Sequence, residues 1–146
     1  MVGDMADDEV AAGEHRWFLD EIRRREGPWR FTIPGRAPSV NHLYVPGAKF
    51  GSRRKAPGVE EWQTGVSRIV KAARPSGWVA TGQVRVVLDL YVCRDIDADN
   101  VFKALLDAIA PALGINDRDV LPCVRSKQKV PTKGERIVVE ISNVGP

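Results

Sequence analysis

The chain has 146 residues, 43% of them hydrophobic, which is enough for a buried core in one domain with a short appendage. No apolar run approaches the roughly 20 residues that span a bilayer. The acidic start, MVGDMADDEV, lacks the basic-then-apolar layout of a secretory signal, so the expected location is the cytoplasm, without a membrane partner. The formal net charge of +3 is unevenly spread. Residues 1–26 hold eight acidic groups against four arginines, which leaves the rest of the chain at +7 and suited to a polyanionic partner.

Asp7 to Arg25 reads as a charged helix with a narrow apolar stripe of Trp17, Phe18 and Ile22, ended by Gly27-Pro28. Residues 1–28 are therefore expected to be an acidic extension, helical or partly disordered, outside a domain covering 29–146. A short strand, Trp29 to Ile33, stops at Pro34-Gly35. Residues 34–58 hold four prolines, four glycines and the basic cluster Arg53-Arg54-Lys55, which predicts a long loop of the kind that is functional or mobile in compact domains. Over Val59–Ala73, Trp62, Val66, Ile69, Val70 and Ala73 recur at helical spacing. Gln83–Cys93 is dense in β-branched residues and is the clearest strand, with Arg85 and Asp89 toward one side. Asn100–Leu113 predicts a second amphipathic helix. Val120–Val130 and Arg136–Val144 predict two more strands, joined as a hairpin through Thr132-Lys133-Gly134. Cys93 and Cys123 fit no metal spacing or disulfide framework and are expected as buried free thiols.

The order β-α-β-α-β-β predicts an α+β two-layer sandwich, helices packed on one mixed β-sheet, preceded by the N-terminal helical extension.

The chemistry concentrates in Arg94-Asp95-Ile96-Asp97-Ala98-Asp99-Asn100-Val101-Phe102-Lys103, between the best strand and the second helix. In extended chain Asp95, Asp97 and Asp99 point the same way. Asp99 stands where a helix N-cap belongs, and Lys103 follows one turn later on the same face. Crowded carboxylates are costly unless a cation lies between them, and hard divalent ions prefer such all-oxygen surroundings. A metal there would activate water against a phosphodiester, and Lys103 would orient the phosphate. Asp117, in the turn after the second helix, is expected to reach this cluster if its strand pairs with Gln83–Cys93. Taken singly, each residue has an ordinary role: Asp99 as a cap, Asp97 in a solvated loop, Lys103 as the i,i+4 partner of Asp107, and Asn116-Asp117 as a turn former.

The run Asp97-Ala98-Asp99-Asn100-Val101-Phe102-Lys103-Ala104-Leu105-Leu106-Asp107-Ala108 closely resembles the D-x-D-N-x-x-K-x-x-x-D-A signature of the RusA family of Holliday junction resolvases. Ile33-Pro34-Gly35-Arg36-Ala37-Pro38-Ser39-Val40-Asn41 is similar to the family's first strand and proline-rich segment. Asn116-Asp117 stands where the family has an aspartate pair, and Val130–Arg136 resembles its basic hairpin. The likeness spans about residues 29–143. It implies a RusA-like fold and a homodimeric, Mg²⁺-dependent endonuclease that cuts four-way DNA junctions by paired nicks; many members are encoded in phages or prophages. Carried over by position, Asp97, Asp99 and Asp117 would be metal ligands and Lys103 a catalytic residue, with Mn²⁺ substituting for Mg²⁺. Arg53, Arg54, Lys55, Lys127, Lys129 and Lys133 are expected as DNA-backbone contacts. Asn116 departs from the family's aspartate, and Val92-Cys93-Arg94-Asp95 is less basic than in some members. Two other readings stay open: a broader flap or fork nuclease, and a junction-binding protein without catalysis.

Overall fold

The computed structural model describes residues 28–38, 44–47, 51, 53–95 and 98–144; of 44, 45, 53 and 98–100 it describes the backbone. The described strands are β1 (Trp29–Pro34), β2 (Tyr44–Pro46), β3 (Arg53–Lys55), β4 (Val84–Val92), β5 (Val120–Lys129) and β6 (Arg136–Asn143), with helices α1 (Val59–Ala73) and α2 (Ala98–Leu113). The helix expected over Asp7–Arg25 lies outside the described residues.

The architecture is α+β. Four strands form a mixed sheet in the order β1-β6-β4-β5, with β4 and β5 parallel and the other pairs antiparallel. Strand β4 takes an inner position because its side chains can be buried almost throughout; only Arg85 along it is exposed. Period-two alternation places Trp29, Phe31 and Ile33 of β1, Ile137, Val139 and Ile141 of β6, and alternate residues of β4 on one face. Both helices pack there: Val66 and Val70 of α1 and Val101, Leu105 and Ile109 of α2 join the same core. This matches a two-layer arrangement. No described helix is long and apolar enough to cross a membrane.

Helix α2 crosses from the end of β4 to the start of β5, which is what a parallel pair requires of its connection. It ends at Gly114 (φ 72°), where Ile115 N–H donates to Ala110 O at 3.0 Å and Gly114 N–H to Pro111 O at 3.1 Å. That left-handed turn satisfies the last carbonyls and releases the chain into β5.

Two expectations on connectivity change. Strands β5 and β6 are not a hairpin, because β4 lies between them; residues 130–135 bridge over its end, with Val130 N–H donating to Val92 O at 2.9 Å. The stretch expected as one long loop holds a small hairpin of its own, β2 against β3, pairing Tyr44 with Lys55 and Pro46 with Arg53.

Candidate functional site

The run singled out above joins β4 to α2. Asp97 lies outside the described residues. Asp99 falls inside the first turn of α2, which begins at Ala98, rather than at the N-cap before it. Lys103 follows on the second turn and is exposed, as is Asp107 one turn further. Among the described residues Lys103 makes no ion pair, so the expected partnership with Asp107 is not formed.

Asp117 does not join this group within one chain. It opens a one-turn 3-10 segment, Asp117–Asp119, in which Arg118 N–H donates to the Asn116 side-chain oxygen at 3.2 Å. Strand β5 starts immediately after and pairs in parallel with β4, Val120 beside Val84 and Lys129 beside Val92. Asp117 is therefore at the N-terminal end of β4, whereas Asp95 and the motif leave its C-terminal end. The 16 residues of α2 separate them by about 24 Å at 1.5 Å per residue. A strand–helix–strand unit puts the start and end of its helix at opposite ends of the sheet. That rule was readable from the predicted elements and overrides the assumption that pairing with β4 brings Asp117 to the motif. Among the described residues no three carboxylate, cysteine or histidine side chains form a metal-binding group.

Cations do gather at the motif end. Lys127 and Lys129 lie on the end of β5 that runs beside Leu90 and Val92. Their placement depends on a bulge: the register slips between Leu88 and Asp89, pairing Leu88 with Val124 and Asp89 with Ser126. Arg125 is the extra residue. Before it, Val120 and Val124 share the helix side with Val84 and Leu88; after it, Lys127 and Lys129 take that side with Leu90 and Val92. Lys127 Nζ pairs with Asp95 Oδ1 at 2.5 Å. Arg94, Lys127 and Lys129 line, with Val92, Asp95 and Gln128, a cleft of about 300 Å³. Lys133 is exposed on the 3-10 turn that carries the chain over β4 to β6.

The basic cluster at 53–55 is a strand, not an unstructured loop. Lys55 Nζ donates to Gln63 Oε1 at 2.7 Å, and Gln63 Nε2 donates to Ala104 O at 3.1 Å. Gln63, buried on α1, thus ties the basic hairpin to the second turn of α2, beside Lys103. Its polarity hid it from a search for an apolar helix face. Arg54 is exposed; Arg53 is described by its backbone.

Sequence reasoning also missed an ion pair beneath this end. Glu135, with its side chain 7% exposed, accepts from Arg36 Nη2 at 2.6 Å and from Cys93 N–H at 3.0 Å. These donors hold its carboxyl at about 2, well below the usual carboxylate range, with the Arg36 hydrogen bond the largest cause. Arg36 Nη2 also lies 2.9 Å from Cys93 Sγ, and the Arg136 guanidinium sits 3.8 Å above the Tyr91 ring. Both cysteines are free, but the expected burial does not hold: Cys93 is half-buried and Cys123, on edge strand β5, is exposed.

No family model matches the chain, and no curated protein matches it in sequence. Among solved structures it is similar to a 2C-methyl-D-erythritol 2,4-cyclodiphosphate synthase from Plasmodium vivax. The TM-score is 0.37 and the identity 10%, over 80% of this chain and 93% of that one, a likeness too slight to carry an argument.

Proposed function

We propose that this chain is a Mg²⁺-dependent endonuclease of the RusA type that resolves four-way DNA junctions as a homodimer by paired phosphodiester hydrolysis. The observation that carries the reading is the Asp97-x-Asp99-Asn100-x-x-Lys103 run at the β4–α2 junction, set at the same end of the sheet as Lys127, Lys129 and Lys133. Carboxylates repel a phosphate backbone, so a protein that only bound DNA would gain nothing by grouping them beside its cations. A metal ion resolves that conflict.

Asp97 and Asp99 offer hard oxygen donors two residues apart. The chemistry an ion held there supplies is activation of water and neutralisation of charge on the phosphate. Lys103, exposed one turn along α2, would steady the scissile phosphate as negative charge builds on it. Arg54, Lys55 and the β5 lysines would grip the flanking backbone, reading junction shape rather than base edges. Asp117 stands a helix length from Asp99 in its own chain, so this reading takes it from a second copy. A two-fold dimer pairs the start of one α2 with the end of the other and gives two such sites, matching the symmetry of an open junction.

The test is cleavage of an end-labelled synthetic four-way junction in Mg²⁺, with a flap of equal length and a linear duplex as controls. Symmetric paired nicks by the wild type, lost in Asp99→Asn while junction binding persists, are the expected result. Faster cleavage of the flap would make it a broader structure-specific nuclease. Binding without cleavage in Mg²⁺ or Mn²⁺ would overturn the nuclease reading.

A further inference from the structure

The cleft between the end of β4 and the edge of β5 has a charge pattern of its own. Among the described residues, three cations border it, Arg94 from the turn after β4 and Lys127 and Lys129 from β5, together with the Asp95 carboxylate. The bulge at Arg125 is what turns the two lysines to the helix side of β5. Two residues apart on a strand, they are spaced by about 6.6 Å along its axis, comparable to successive phosphates of a nucleic-acid strand. Among the described residues strand β5 is the last in the sheet, so a chain can run alongside it without displacing a described strand.

We infer that this cleft binds two successive backbone phosphates of a DNA strand, on Arg94, Lys127 and Lys129, with Asp95 as a counter-charge the DNA displaces. In the free protein Asp95 holds the Lys127 ammonium at 2.5 Å. Asp95 is 91% exposed, so water can solvate its carboxylate as it turns away, and the released ammonium takes a phosphate oxygen instead. At Lys127 the exchange replaces a carboxylate by a phosphate, and a DNA strand that also reaches Lys129 and Arg94 gains more from it than a single small anion does. The inference shares with the proposed function the premise of a DNA partner, but requires neither metal nor cleavage.

The experiment measures binding of a fluorescein-labelled 20-nucleotide DNA strand, in EDTA, by anisotropy across a salt series. It compares the wild type with Lys127→Ala/Lys129→Ala, Asp95→Asn and the control Arg68→Ala/Lys71→Ala. The control removes the same charge from exposed positions on α1, away from the cleft. The cleft double variant is expected to bind about tenfold more weakly or worse, and to lower the slope of log K against log salt by about 1.4, the share of two phosphate contacts on a single strand. The control should lose less than about threefold, as a change of general field only. Asp95→Asn should tighten binding several-fold. Equal losses in both double variants, or an unchanged slope in the cleft variant, would overturn the site; unchanged or weaker binding by Asp95→Asn would overturn the counter-charge. Because no metal is present, these outcomes are independent of whether the protein cuts DNA.

Discussion

The two ends of the β4–α2 unit differ in what they hold. Where β4 ends and α2 begins stand the motif residues, Lys103 and the β5 lysines. Where α2 ends and β5 begins, Asp117 occupies a short exposed turn, and the chain there is arranged around helix capping: Gly114 closes α2 and Asn116 caps the 3-10 segment. One end gathers the motif and the basic side chains; the other carries Asp117 and Asp119, apart from the motif. A chain that needs both Asp99 and Asp117 for one reaction has to bring a second copy.

The largest expected effect tests that requirement. Asp99→Asn and Asp117→Asn should each lower junction cleavage at least about a hundredfold while leaving binding intact. Equal amounts of the two variants, refolded together, should recover about a quarter of the wild-type nicking rate, because half of the dimers are mixed and each restores one of two sites. The recovered products should be single nicks rather than paired cuts. No recovery, with both single variants inactive, would mean that Asp99 and Asp117 act in the same chain, contrary to their separation across α2. Activity that survives Asp117→Asn would remove Asp117 from the chemistry altogether.

Next in size is the link from the basic hairpin to the helix end. Gln63 is buried and carries both hydrogen bonds, one to Lys55 and one to Ala104 O. Gln63→Leu leaves the Ala104 carbonyl without this donor, at about 1–3 kcal/mol, read as a lower urea midpoint with an unchanged m-value. It should also weaken DNA binding by detaching Lys55 from α1. Loss of stability with DNA affinity intact would separate the hairpin from DNA binding.

Glu135 tests the same end by pH. Its carboxyl is held near 2 in the folded protein against about 4.5 for the free group, so its contribution is complete above the unfolded value and lost as pH falls from about 4.5 toward 2. Thermal unfolding followed over that window should show Tm falling with acid, and Glu135→Gln should reduce the slope, lowering Tm at neutral pH more than at pH 2. Parallel curves for wild type and variant would show that Arg36 and Cys93 do not hold that carboxylate.

The elements with strong periodicity were readable in advance. Val66 and Val70 face the core as their helical spacing implies, and the alternation of β4 turns Arg85 and Asp89 away from it. What was not readable depends on partners distant in sequence. Three-residue strands such as β2 and β3 have no period to detect, and the hairpin exists because Lys55 and Ala56 dock on the helices. The bulge at Arg125 leaves no mark in the sequence of β5 alone, since it is a mismatch between β5 and the register of β4. Asp117 is a different case. Strand, helix and strand were all predicted, and their lengths already placed the two ends of the helix apart.

The smallest expected effect lies on the sheet face opposite the helices, where Arg30 and Arg125 both reach Glu140 and Arg125 also holds Asp89. Arg30 is 61% exposed and pairs with Glu140 at 2.9 Å, so Arg30→Ala should cost less than about 0.5–1 kcal/mol, shrinking further in 1 M salt. Arg125→Ala should cost more. Its guanidinium reaches Asp89 Oδ2 at 2.5 Å and Glu140 Oε2 at 3.2 Å, and Asp89, 13% exposed, would keep the Ser126 Oγ hydrogen bond at 2.7 Å but lose this ion pair. Arg125 is also the bulged residue, so its substitution separates two explanations of the bulge. If Arg125→Ala weakens strand binding in the cleft as Lys127→Ala/Lys129→Ala does, the ion pair to Asp89 fixes the register that turns those lysines to the helix side. If only stability changes, the backbone pairing of β4 with β5 sets the register alone, and the Arg125 side chain serves the opposite face.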